Sequence, residues 1–328
     1  MMKRISSMVI ITLVASITFW QCENLNDTSG GNGDIEEQIL ALMAAEDSLY
    51  ELDDFENTDQ VDFGLGKGIA EQQIVPGPFD STAIWRFWRT DMARQRLEPE
   101  ITVENDSLAY AQLTHQVTGT FHVVQRERIW TDDSTWTVGD TVGYSEKSIQ
   151  MVLSRRVRFE YLPNPAHEYH WGRTGMTPLY GGSVDGTIDF TRLALTNLVT
   201  DTTRVLSDFE NHYISMLRQP LAFARGDTAR VDLFVLNGDS DLPEWVRYKW
   251  DFHHFRPVPP TREIMRYTGM NEDGEKRYTR VFELRGRDRI FKAYVEAMDA
   301  RTLFDHSYPE YNSQILGFHY RGGPPRHP

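Results

Sequence analysis

Cysteine is nearly absent. Cys22 is the only one in 328 residues, so no internal disulfide can form, and it is left as an unpaired thiol, an intermolecular bridge or a modified group. Basic residues are scarce too: Lys and Arg number 34 against 48 Asp and Glu, a formal charge of −14. Such a surface repels the phosphates of nucleic acids and of anionic lipid headgroups, which argues against DNA or RNA as a partner. The imbalance is uneven, with thirteen acids and no Lys or Arg from Glu23 to Gly66. No apolar run beyond residue 20 approaches the roughly 20 residues that span a bilayer. Nucleophile motifs are missing: there is no Gly-x-Ser-x-Gly elbow, and Gly64-Leu65-Gly66-Lys67-Gly68 lacks the spacing and trailing hydroxyl of a phosphate loop. No cofactor motif is present, and none is expected to be bound.

What is present begins at the N-terminus. Lys3-Arg4, an apolar run from Ile5 to Trp20, then Gln21-Cys22 follow the plan of a secretory signal peptide: basic start, short apolar middle, processing site. Phe19-Trp20-Gln21-Cys22 resembles a bacterial lipobox, in which the cysteine becomes the lipidated first residue of the mature chain. Gln21 stands where that pattern has a small residue, and an uncleaved N-terminal anchor is the alternative. The resemblance implies a membrane partner through lipid on Cys22 and a place in the bacterial cell envelope, at the outer membrane. Loss of residues 1–21 would leave a charge of −16, 32 basic against 48 acidic. Residues 22–33, small and Gly-rich after the cysteine, read as a flexible tether.

The remainder predicts a mostly β chain with an N-terminal helix, organised as an α+β domain at 34–204, an antiparallel β-sandwich at 205–322 and a tail at 323–328. Asp34 can cap a helix in which Ile35, Ile39, Leu42 and Leu49 recur at helical spacing. Thr82–Leu97 is ambiguous, and its second half favours helix. Ile101–Glu104, Leu108–Gln125, Ser145–Tyr161 and Val184–Thr200 alternate as strands. Trp130–Gly143 suits a hairpin of its own. Six further strand-like runs begin at Arg230, Val246, Arg262, Tyr278, Asp288 and Ser313, with Asn271-Glu272-Asp273-Gly274 as a hairpin turn. These runs, following the turn Arg225–Ala229, resemble an immunoglobulin-like or fibronectin-like module. The helix, the Trp- and Arg-rich segment and the long strands ending in Trp171 are faintly similar to the cone-shaped α+β domains of the nuclear-transport-factor-like superfamily.

Candidate sites are few. His167 and His170 could ligate a metal from one helical face, but Pro163, Pro165 and Gly172 oppose a helix, so a structural loop is the leading reading. His253 and His254 end an aromatic strand that could face a ligand. Asn237–Asp241 spaces oxygen donors as calcium loops do, yet Tyr248 stands where the closing Glu belongs, so a polar turn is preferred. Trp85 and Trp88 are candidate ligand-stacking residues. The functional expectation is a binding or structural role towards a protein or glycan. The rival is an enzyme or small-ligand binder with a pocket in 34–204, lined by side chains such as Trp85, His115 and Arg156.

Overall fold

The computed structural model describes residues 32–46, 61–63, 82–131, 135–162, 170–215, 222–224, 226–250, 262–283 and 289–323. The elements run α1 (Asn32–Ala45), β1 (Val61–Phe63), β2 (Ile84–Arg96), β3 (Glu100–Asn105), β4 (Leu108–Trp130), β5 (Trp136–Tyr161), β6 (Trp171–Met176), β7 (Leu179–Ser183), β8 (Ile188–Asn197) and β9 (Thr202–Leu206). There follow β10 (Ile214–Ser215), β11 (Ala222–Ala224), β12 (Thr228–Asn237), β13 (Trp245–Trp250), β14 (Arg262–Ile264), β15 (Arg266–Met270), β16 (Lys276–Glu283), β17 (Arg289–Met298), α2 (Ala300–Phe304) and β18 (Ser313–Gly323). The protein is mostly β with an N-terminal helix, as its alternating sequence predicts. The described residues of the six C-terminal runs are strands, except that the run from Arg262 breaks at Met265 into β14 and β15 of different sheets, and the Asn271–Gly274 turn joins β15 to β16, with Gly274 at φ 80°.

One sheet of 13 strands has the path β1-β2-β4-β5-β7-β18-β17-β13-β14; the other has the order β15-β16-β12-β8-β9. All pairings are antiparallel except β11 with β18. The spine is the β4–β5 hairpin, in register from Leu108↔Glu160 to Trp130↔Trp136. The Trp130–Gly143 segment is thus the tip of this long hairpin rather than a separate one. The boundary expected near residue 204 falls within a sheet, because β8 pairs with both β9 and β12.

Thr82–Leu97 departs from expectation, since its second half is strand, not helix. Alternation outweighs the helix propensity of Met92, Ala93 and Arg94 once β4 offers a ladder from Ile84↔Arg126 to Arg96↔His115. A bulge between Thr90 and Ala93 absorbs the misfit, with Asp91 at φ 53°. Gly119 lies opposite, and any β-carbon there would collide with Met92 Sδ.

Strands β13, β17 and β18 are buried on both faces. Val246, Tyr248, Ala293, Val295, Ala297, Leu316, Phe318 and Tyr320 meet Leu193, Leu195, Val231, Leu233 and Tyr278 of the five-stranded sheet, a sandwich-like packing. On the opposite face Trp245, Met298 and Ile315 meet Phe87, Val117, Phe121, Ile149 and Leu153, because the large sheet curls until β2 faces β13 and β17. Phe87 stands edge-on to Trp245 at 5.3 Å. Helix α1 covers the far end of the curl, placing Ile39 and Met43 on Ala109, Leu113, Val157, Phe159 and Trp171.

The curl is closed by charge. Glu296 on β17 accepts hydrogen bonds from Arg89 on β2 and from Arg247 Nε on β13 (2.5 Å), and from Ser313 Oγ at 3.0 Å. Tyr311 Oη accepts from Arg89 at 2.5 Å. Burial alone would raise the Glu296 carboxyl, but the two guanidiniums hold it down at about 2. Glu296→Gln should therefore cost about 3–5 kcal/mol, since it leaves two buried cations uncompensated, whereas Arg89→Met, Glu296→Leu and Arg247→Met together should restore most of that loss. Urea denaturation of the three proteins checks this; a Glu296→Gln variant within about 1 kcal/mol of the parent would show that the cluster does not hold the curl.

Candidate functional site

Alternation along β4 and β5 sends side chains in turn into the curl and out of it. Outward, Trp88 on β2 stacks on His122 at 4.9 Å with 8° between the rings. His122 Nε2 is 2.8 Å from Thr90 Oγ1 and its Nδ1 is 3.0 Å from Tyr144 Oη, which donates to Glu146. The stripe continues past the last β2 residue paired with β4, where β4 and β5 have only each other among the described strands. There Arg128 lies between two indoles, 5.0 Å from the ring centroid of Trp136 and 5.9 Å from that of Trp130. Trp130 is 55 % exposed and Tyr144 52 %, with Val142 and Ile129 also exposed nearby.

Inward, the hydrophobic series breaks at one level. Between Leu113 and Val117 on β4 sits His115; between Leu153 and Val157 on β5 sits Arg155; beyond Gly317 on β18 sits His319. Both histidines are buried, at 4 % and 5 % exposure, and both Nε2 atoms lack a hydrogen-bond partner. Burial, then Arg155, Arg96 and Arg94, bring His115 down to about 4; burial, then Arg155, Lys292 and Arg173, push His319 well below the histidine range. Both imidazoles are neutral at pH 7.

A third feature is a polar cleft of about 390 Å³ on the outer face of β3, β4 and β5, lined by Glu100, Thr102, Tyr110, Gln112, Ser154, Arg156, Thr177, Tyr180, Glu210 and Asn211, with Arg155 behind. The Arg156 guanidinium lies 5.4 Å over the Tyr110 ring and donates to Asn211 Oδ1 at 3.3 Å. Tyr110 also touches Tyr213, at 5.8 Å between rings.

Of the residues singled out in the sequence, Trp88 lies in the exposed stripe and Arg156 in the cleft. Trp85 faces inward and is 2 % exposed, edge-on to Phe304, so it is core rather than ligand platform. His115 faces inward as well, away from Arg156. His170 is exposed and packs at 5.8 Å on Tyr161. Cys22, His167, His253 and His254 lie outside the described residues. Among the described residues no three His, Cys, Asp or Glu side chains gather as a metal site, and no helix is long and apolar enough to cross a membrane.

The Asn237–Asp241 turn has its own cation. Buried Lys276 donates to Ser240 O (2.5 Å), Leu242 O (2.7 Å) and Glu244 Oε1 (2.7 Å), so an ammonium takes the carbonyl and carboxylate oxygens there. Sequence reading missed Gln112, Glu210 and Asn211, because the latter two approach the cleft from a segment about a hundred residues away. The stripe left a signal: Arg126, Arg128 and Trp130 recur at period two beyond any matching apolar series on β2.

A scan against protein-family models finds no match for this chain, and a search of curated proteins finds none either. Function must therefore be argued from these surfaces.

The inward histidines generate a pH dependence. Their folded-state pKa values lie below the ordinary 6.5, so the unfolded chain takes up protons as pH falls through 6.5 while the folded chain does not until about 4. Stability should fall across that window, by up to about 1.4 kcal/mol per pH unit for each histidine. Urea midpoints at pH 7 and pH 5 should differ in this direction, and His115→Leu should shrink the difference; an unchanged difference would mean that His115 titrates normally.

Proposed function

We propose that this protein is a lipid-anchored component of the bacterial cell envelope, held at the outer membrane through Cys22, whose role is to bind a protein partner with the tip and outer face of the β4–β5 hairpin. The observation that carries the reading is the placement of Trp130 and Trp136 around Arg128 on a two-stranded extension. Trp, Tyr and Arg are the residue types that dominate binding energy at protein interfaces. Here Trp130 and Tyr144 are exposed and Trp136 and Arg128 are half-buried, and large apolar side chains gain nothing from water. The rings also fix the guanidinium in place before binding, which reduces the ordering entropy lost in a complex. Both indoles already contact Arg128, and this favours a protein over the sugar rings of a glycan as the occupant.

The signal-peptide pattern, the lipobox-like Phe19-Trp20-Gln21-Cys22 and the Gly-rich tether support the envelope placement. The sandwich-like packing of β12 and β16 on β13, β17 and β18 offers a rigid scaffold for the hairpin extension.

Two measurements test the reading. Replacing Cys22 by Ala should move the chain from the membrane to the soluble fraction of cells and abolish incorporation of a labelled fatty acid; continued membrane residence without label would point to an uncleaved anchor. A photo-crosslinking residue at Val138 in living cells should capture a discrete partner, and Trp130→Ala with Trp136→Ala should reduce that adduct at least about tenfold, as loss of interface anchors does, without lowering the melting temperature of the body. Unchanged adducts in the double variant would remove the hairpin from the interface, and loss of binding to isolated envelope polysaccharide alone would make the partner a glycan.

A further inference from the structure

We propose that the cleft between the outer face of β3, β4 and β5 and the 207–213 segment binds a neutral polyhydroxylated ring, a monosaccharide or the end of a short oligosaccharide. This site is separate from the hairpin tip, and neither reading depends on the other.

The chemistry of the lining selects the ligand. Its volume of about 390 Å³ falls within the range of small-molecule sites. The wall is mostly polar, with the rings of Tyr110 and Tyr180 as its apolar part: carboxylates from Glu100 and Glu210, amides from Gln112 and Asn211, hydroxyls from Thr102, Ser154, Tyr110 and Tyr180, and the guanidinium of Arg156. The side chains of Glu100, Thr102, Gln112, Ser154 and Glu210 have no hydrogen bond among the described residues. They are solvated groups facing a concavity with donor and acceptor capacity to spare.

Each alternative class fails on a named residue. An anion would meet the carboxylates of Glu100 and Glu210, which offset the guanidiniums of Arg155 and Arg156, and Arg156 is already partly committed to Asn211. A small cation would be opposed by Arg156 in the same wall. A metal ion lacks the three-ligand cluster it needs among the described residues. An apolar ligand would strip water from carboxylates, amides and hydroxyls and return nothing to them. A sugar hydroxyl, by contrast, both donates and accepts, so it can donate to Glu100 or Glu210 while accepting from Gln112 or Arg156. The site is also built to hold its shape. Arg156 is braced by the Tyr110 ring beneath it, and its backbone N–H donates to Thr177 Oγ1 at 2.9 Å, while Thr177 N–H returns a bond to Arg156 O at 2.9 Å. Tyr180, beside Ser154 on the neighbouring strand β7, donates to Asp189 and packs on Phe209 at 5.2 Å.

The test is saturation-transfer NMR on the full chain in a detergent without a sugar headgroup. The probes are glucose, galactose, mannose and N-acetylglucosamine, with glycine and inorganic phosphate as chemical controls. At least one sugar should give a saturable signal with a dissociation constant of about 1 mM or tighter. Gln112→Ala with Arg156→Ala should weaken it at least about tenfold, and Ser154→Trp, which fills the cleft, should abolish it with the melting temperature retained. Should Ser154→Trp fail to fold, the Gln112 and Arg156 variants decide the matter alone. No saturable signal from any sugar, a signal that survives these variants, or saturable binding of glycine or phosphate with none of sugar would each overturn the assignment.

Discussion

The carboxylate of Glu296 is the point on which the curl of the large sheet depends. A sheet with one apolar face and one mixed face would be expected to cover itself with a second sheet, and β8, β12 and β16 do so for β13, β17 and β18. That leaves the inner faces of β2, β4 and β5 without a partner. Bringing β2 onto β13 and β17 buries them, but it also carries Arg89 and Arg247 out of water. Desolvating two guanidiniums is costly unless their charge is met, and one carboxylate with both oxygens engaged, supported by Tyr311 and Ser313, meets it. The same carboxylate therefore sets how tightly the sheet can curl. Which face of the β4–β5 hairpin looks inward follows from its apolar alternation.

Everything on the outer face inherits that geometry. With Leu113, Val117 and Phe121 inward, Gln112, His122 and Arg128 must point out. The cleft and the aromatic stripe are thus on one side of one hairpin, near opposite ends of it. The inner surface is satisfied by different means along its length: helix α1 at one end, hydrophobic closure at the other, and the polar level of His115, Arg155 and His319 between. Buried Lys147 marks the boundary of the hydrophobic closure. Its ammonium donates to the carbonyls of Arg301 and Asp305 at the end of helix α2, each of which also accepts a backbone N–H, and burial lowers its pKa to about 8.

Much of this order was legible in the sequence, for a physical reason: a strand buried on one face must alternate. The β4 and β5 alternations and the six C-terminal runs are all visible as such. What alternation does not encode is which strand pairs with which. Nothing local in Ile188–Asn197 says that it joins β12 rather than its neighbours to the N-terminal side, so the expected boundary near 204 falls in the middle of a sheet. The second half of Thr82–Leu97 was misread because its helix formers are on a strand whose ladder with β4 outweighs them. Trp85 and His115 share a residue type with plausible site residues, yet one register position decides between core and surface, and that position is fixed only when β2 meets β4. Arg156 lines a cleft, but not the one expected with Trp85 and His115, and the neighbouring Glu210 and Asn211 come from a segment whose position depends on the sandwich.

The hairpin tip joins stability to recognition in a way the rest of the fold does not. An isolated two-stranded ribbon is marginal in water, because it has neither a third strand nor a covering layer. Beyond the end of β2 this ribbon must hold itself, and cross-strand aromatic pairs and cation–π contacts are the interactions open to it. Trp130↔Trp136 with Arg128 between them supplies both. The groups that keep the tip extended are therefore those exposed at its end, and the tip cannot be made more polar without also being loosened. Any partner that covered the indoles would complete the missing layer, so its binding would also favour the extended tip.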